Sequence, residues 1–228
     1  MFRTLTYTAT AIICAFLVKS GLEQFRSSER VVEVRGLSER MVTSNEAYWA
    51  ITYAAQGNDL NATNAQYQKN QKILLEFFKK LGFSEDEIQK SPANIVDNWA
   101  NYYGNSRPPD RITIRGTVSV STKKVSEVAK ALDKTDELIQ LGVTFESSTT
   151  NYMFTDLNSI KPEMIKEATA NARQSAQQFA DDTNSSLGKI KSASQGLFSI
   201  TDMNSDYESR QSITKKVRVV TQVGYYLN

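Results

Sequence analysis

The sequence predicts an α+β fold: a mixed, largely antiparallel sheet or sheets with three main helices packed on them, preceded by an N-terminal hydrophobic helix. Three observations carry that expectation. Segments with alternating apolar residues interleave with segments whose apolar residues recur every third or fourth position. Leu-Gly pairs, good helix stops, occur at 81–82, 141–142 and 187–188, either as a weak repeat or by coincidence. The first twenty residues hold the apolar run LTYTATAIICAFLV, residues 5–18, closed by Lys19 and Ser20. At 228 residues and 40% hydrophobic composition the chain can bury a real core, as one domain or as two closely packed halves.

Residues 1–27 read as a signal anchor or signal peptide, and residues 28–228 as the folded body. Leu5, Ile12, Ile13, Phe16, Leu17 and Val18 form the membrane segment. The run is shorter than the ~20 residues of a spanning helix, yet Val18-Lys19-Ser20 is a poor cleavage site, so anchor and cleaved peptide both stay open. Cys14 follows Ile12-Ile13 rather than a small residue, which argues against lipidation.

In the body, RVVEVRG (30–36) reads as a strand and Met41–Ala55 as its neighbour, with Ala47, Trp49, Ile51, Tyr53 and Ala55 on one face. Asn58-Asp59 caps a helix that carries Tyr67, Leu74, Phe77, Phe78 and Leu81 on its stripe and stops at Gly82. Ile88–Tyr103 and Arg111–Ser121 read as long strands joined by YGNSRPPD, with Ile112, Ile114, Val118 and Val120 facing one way. A second helix spans about 123–141, a strand 143–156, a third helix begins near residue 158, and strands follow at 190–201 and 215–227. In the third helix Met164, Ala168, Ala172, Ala176 and Ala180 recur at every fourth position, with Pro162 in the first turn. Such a methyl-lined face suits close packing on a sheet better than catalysis.

Beyond the first twenty residues, which hold Arg3 and Lys19, 25 basic residues stand against 25 acidic ones, which gives no electrostatic footprint for nucleic acid. The body has neither His nor Cys, which excludes His-based triads, cysteine nucleophiles, disulfides and the usual zinc sites. No cofactor, metal site or catalytic residue is expected. Ser-x-x-Lys occurs at Ser121/Lys124, Ser186/Lys189 and Ser212/Lys215, weak evidence because 23 serines and 16 lysines produce about 1.6 such matches by chance. Glu85-Asp86-Glu87 and Asp181-Asp182 read as solvated caps. Trp99, Tyr102 and Tyr103 beside Arg107 form the candidate interface, since aromatics with arginine favour interface centres; covering their own hairpin is the alternative. The closing strand VRVVTQVGYYL has Arg218 as its one charge, and as a sheet edge it would invite a neighbouring subunit.

The runs GTVSVSTKKVSEVAKALDKTDELIQLGVTFESS and YMFTDLNSIKPEMIKEATANARQSAQQFADDTNSSLGKIKSASQGLFSI, with VVEVRGLSER before and KKVRVVTQVGYYL after them, resemble the SIMPL-domain family over about residues 30–228. Bacterial members of that family include periplasmic oxidative-stress-defence and immunogenic proteins. The resemblance implies an exported envelope protein on the periplasmic side of the inner membrane, or free in the periplasm if the leader is cleaved. It implies self-association into a homo-oligomer and a role in envelope or oxidative-stress defence, and it supplies no catalytic residues. The expected activity is therefore non-catalytic, through assembly, with self and the membrane as partners. A periplasmic binding protein for a small ligand or peptide is the alternative, and a Ser/Lys hydrolase the distant one.

Overall fold

The computed structural model describes residues 13–19, 30–100, 102, 106–203 and 210–228. It has the expected α+β character, with antiparallel sheets and helices packed on them. Its contacts divide the chain into two compact units, one comprising residues 41–156 and 200–215, the other residues up to 40, 157–199 and 216–228.

The larger unit is built on alternation. In β2 (Glu46–Gly57) every second residue from Ala47 to Ala55 is buried. β2 pairs antiparallel with β5 (Ile112–Thr122) from Ala47↔Thr122 to Gly57↔Ile112. The sheet order is β3-β5-β2-β6, with β3 (Ile88–Lys90) and β4 (Asn94–Asp97) both on β5 and β6 (Phe145–Met153) on the far side of β2. Helix α2 (Leu60–Lys80) covers this face. Asp59 accepts the Ala62 N–H at 2.8 Å as its N-cap, and Gly82 follows its C-cap with φ +92°, a left-handed conformation glycine adopts without penalty. Trp49 meets Phe78 edge-on at 5.0 Å, and Tyr67 stacks on Tyr53 at 5.2 Å. The apolar row of β5 skips Gly116 because a Cβ there would lie 2.5 Å from the Tyr67 hydroxyl. Each fully buried large side chain in this core contributes on the order of 1.5–3 kcal/mol.

The second sheet is formed by β1 (Val31–Thr43), β9 (Thr214–Leu227) and β7 (Leu187–Gln195), in the order β1-β9-β7, with β8 (Ser199–Asp202) also on β9. Helix α5 (Leu157–Asp182) buries Met164, Ala168, Ala172, Ala176 and Ala180, one residue per turn. Ala172 and Ala176 form a core with Val34, Val223 and Tyr225. The approach is closest at Gly36, where a Cβ would stand 1.8 Å from the Ala168 carbonyl oxygen and 2.4 Å from the Ala172 nitrogen. Polar clamps flank the alanine row: Arg40 donates to Glu163 and Glu167, Ser38 to Glu167 at 2.7 Å, and Asn171 to the Leu37 carbonyl at 2.8 Å.

Several expectations need correction. Gly36 does not end a strand: β1 runs on to Thr43, the chain turns at 44–45, and β1 and β2 belong to different sheets. The expected strand 88–103 is two short strands, because Pro92 lacks an N–H and interrupts the ladder after Ser91. The expected helix 123–141 is broken into α3 (Val125–Ala131), a 3₁₀ turn and α4 (Asp136–Gln140). Leu187-Gly188 opens β7 rather than closing a helix; α5 ends at Asp182, and Asn184 takes the left-handed turn. Helix α5 begins before residue 158, so Pro162 sits in its second turn. The single strand expected at 190–201 is β7 and β8, interrupted at 196–198. The closing strand β9 lies between β1 and β7 and is not an edge.

Residues 13–19 form a short helix, α1, in which Ile13, Phe16, Leu17 and Val18 are exposed; Leu5 and Ile12 lie outside the described residues. Among the described residues no helix is long and apolar enough to cross a membrane.

The contact between Gly36 and α5 leads to a direct test. Gly36→Ala and Ala172→Leu should each lower stability by about 1–3 kcal/mol, the usual cost of overpacking, whereas Arg173→Ala, on the exposed flank, should leave the urea midpoint unchanged. A wild-type midpoint for Gly36→Ala would contradict the close approach.

Candidate functional site

The β4–β5 hairpin brings three of the four candidate interface residues together; Tyr103 lies outside the described residues. Trp99 is half-buried, with its indole N–H donating to the Pro108 carbonyl at 3.0 Å. The guanidinium carbons of Arg107 and Arg111 lie 5.4 and 5.9 Å from its ring centroid. Arg111 also donates through Nε and Nη2 to Asp97, and this partner holds the Asp97 carboxyl below the usual range. Tyr102 is exposed and its hydroxyl accepts the Ser106 N–H at 3.3 Å. Trp99 and Arg107 therefore close their own hairpin. What remains free nearby is apolar β4, where Ile95 and Val96 are exposed.

The three Ser-x-x-Lys pairs were tested by geometry. Ser186 and Lys189 are both exposed. Lys124 donates to the Gly82 carbonyl and to Glu87, both at 3.0 Å. Lys215 is buried, but its Nζ donates to Asp202 Oδ1 at 2.5 Å, with 4% and 7% of the two side chains exposed. The other Asp202 oxygen accepts the backbone N–H groups of Gln211 and Ser212, each at 3.2 Å. An ammonium paired with a buried carboxylate does not offer the lone pair that activates a serine. The partners of Lys124 and Lys215 hold the fold together rather than activate a serine.

The Asp202–Lys215 pair adjoins a cavity of about 220 Å³ lined by Tyr152, Met153, Phe154, Ile200, Arg210 and Lys215. That is smaller than the ~300–1,000 Å³ of ordinary ligand sites. Asp202 and Lys215 stand 13 residues apart in no recognisable motif, so sequence reasoning had no signal for the pair.

Glu87 was expected to be a solvated cap and is instead a junction. It accepts from Thr122 Oγ1 at 2.5 Å, from Ser84 N and Oγ at 2.8 and 2.9 Å, and from Lys124. Burial raises its pKa, and the donors more than reverse this, bringing it to about 2. Tyr53 shows the opposite balance. Burial first, then the neighbouring Tyr67 hydroxyl, pushes its phenol above the ordinary value.

Besides the short β3 and β4, two longer strands are uncovered over part of their length. In β6, Glu146 to Thr149 are exposed, and in β7 every residue from Lys189 to Gln195 is exposed. Neither was foreseen, because alternation reports which residues could be buried and not how far a helix layer extends.

The family model SIMPL, described as a protein of unknown function (DUF541), matches residues 32–223. No curated protein matches the chain.

Glu87 makes acid stability testable. Its folded pKa of about 2 lies below the ordinary 4.5, so its contribution is complete above pH 4.5 and is lost as pH falls toward 2. Glu87→Gln should cost on the order of 3 kcal/mol at pH 7 and almost nothing at pH 2. Urea melts across that range check it, and an equal cost at both ends would show that the carboxylate's charge is not what holds the junction.

Proposed function

The chain belongs to the SIMPL family, whose function is unknown, and from that premise we propose that it acts without catalysis, as an exported envelope protein that assembles with copies of itself. The observation that carries this reading is the pair of uncovered strands, β6 and β7, one in each sheet. Open strand edges are usually paired, covered or charged, and a second copy is a cover that every cell making the protein supplies. The engagement of Lys124 and Lys215 with Glu87 and Asp202 supports the non-catalytic side of the proposal.

Export and tethering rest on residues 5–18, an apolar run between Arg3 and Lys19. Retained, that run would hold the body at the periplasmic face of the inner membrane as a short transmembrane anchor; cleaved, it would leave the body free in the periplasm. A role in envelope or oxidative-stress defence rests on the resemblance alone. A second reading, binding of a small periplasmic ligand or peptide end, is favoured by the cavity beside Lys215 and Arg210, whose size suits only a small ligand.

A reporter active only outside the cytoplasm, fused after Ser28, should be active. Ile13→Lys with Leu17→Lys should silence it, since each central charge costs about 2.5–3.5 kcal/mol on insertion scales. The purified protein should run as a homo-oligomer by size exclusion with light scattering. An unchanged reporter would end the export proposal, and a monomer at high concentration would end the assembly proposal.

A further inference from the structure

Strand β7 is bonded along one edge to β9 and along the other, among the described residues, to no strand. The Gly196 N–H donates to the Val220 carbonyl at 2.8 Å, which fixes the phase of the ladder. Alternate residues of an antiparallel strand turn both backbone groups to the same side. Ser192, Ser194 and Gly196 therefore turn theirs toward β9, and Ala193 and Gln195 turn theirs outward, while the register of the ladder shifts at Lys191, between Ile190 and Ser192. The strand is bare on both faces over this stretch, Ile190 is 56% exposed, and Leu197 just beyond it is 95% exposed.

The charges of β7 discriminate between ways of covering that edge. They are Lys189 and Lys191, both before Ser192. A parallel in-register copy would set lysine against lysine, which is unfavourable. An antiparallel copy centred on Ala193 sets Lys191 against Gln195 and Lys189 against Leu197, so no like charges face each other. The same centre matches the backbone phase. Ala193 exchanges both hydrogen bonds with Ala193 of the second copy, in the regular stretch of the strand that runs from Ser192 to Gln195. Ser192, Ala193 and Ser194 keep the centre free of bulk, and Leu197 gains cover over the lysine stem of the second copy.

We propose that β7 pairs antiparallel with β7 of a second copy of this chain about a two-fold axis at Ala193. The strand order across the contact becomes β1-β9-β7-β7-β9-β1, one continuous sheet with β8 of each copy also on its β9. The lysines that would otherwise protect the edge here select the register. The proposal rests on the self-assembly reading and adds to it the contact, its direction and its register.

The test uses the full-length protein in mild detergent, with Cys14→Ser so that an introduced cysteine is the sole thiol. Ala193→Cys should be driven to covalent dimer by a short bismaleimide, and Ile139→Cys, 60% exposed in the other unit, should stay monomeric on denaturing gels. Ala193→Pro removes an outward N–H and leaves the β7–β9 ladder intact, so the particle mass should fall to about half with circular dichroism unchanged. If the protein assembles, yet Ala193→Cys fails to cross-link and Ala193→Pro keeps the mass, the β7 pairing is refuted and assembly survives through another surface. A wild-type chain that stays monomeric refutes both. Should Ala193→Pro unfold the protein, the cross-linking comparison alone decides.

Discussion

The distance between α5 and β1 is the constraint on which the smaller unit depends. A helix usually stands off a sheet by the length of the side chains between them; here the spacers are the methyl groups of Ala168, Ala172 and Ala176, and opposite them Gly36 has no side chain at all. The narrowness of the buried stripe, one residue per turn, follows from that proximity. A helix held so close touches few strands. Its alanines meet Val34, Val223 and Tyr225, and the strand beyond, β7, has no cover after Gly188. Tight packing in one place thus produces exposure in another.

Much of this was legible in the residues. The alternation of β2, the stripe of α2 and the alanine row of α5 each became a buried face, because in all three the pattern is regular and long. Gly36 was read as the end of a strand, since glycine weakens strands and marks turns. What it supplies is room, and room is visible only when the helix from more than 130 positions away is laid upon it. The break at Pro92 was available from the sequence and went unread. The order β1-β9-β7 was not available, because nothing in VRVVTQVGYYL distinguishes a central strand from an edge one.

The candidate site was legible only in part. Trp99 and Arg107 do meet, as their proximity in sequence suggested, but as a closed hairpin with Arg111 and the Pro108 carbonyl. The charged groups with the most distinctive surroundings, Glu87 and the Asp202–Lys215 pair, join distant segments of the larger unit. Their partners come from turns and strands whose proximity depends on the completed fold. An ionisable group so fully engaged in holding backbone and neighbouring side chains is a poor proton carrier, which is the physical content of the non-catalytic reading.

Close packing of α5 would leave β7 as a strand open to pairing with a second copy. Amide hydrogen exchange at single-residue resolution, followed as protein concentration is raised, tests it most directly. The inward amide of Ser194 should be protected at every concentration by its bond to β9. The outward amides of Ala193 and Gln195 should exchange fast when dilute and become protected as copies associate. Outward amides that exchange fast at all concentrations, or that are already protected in the dilute monomer, would contradict it.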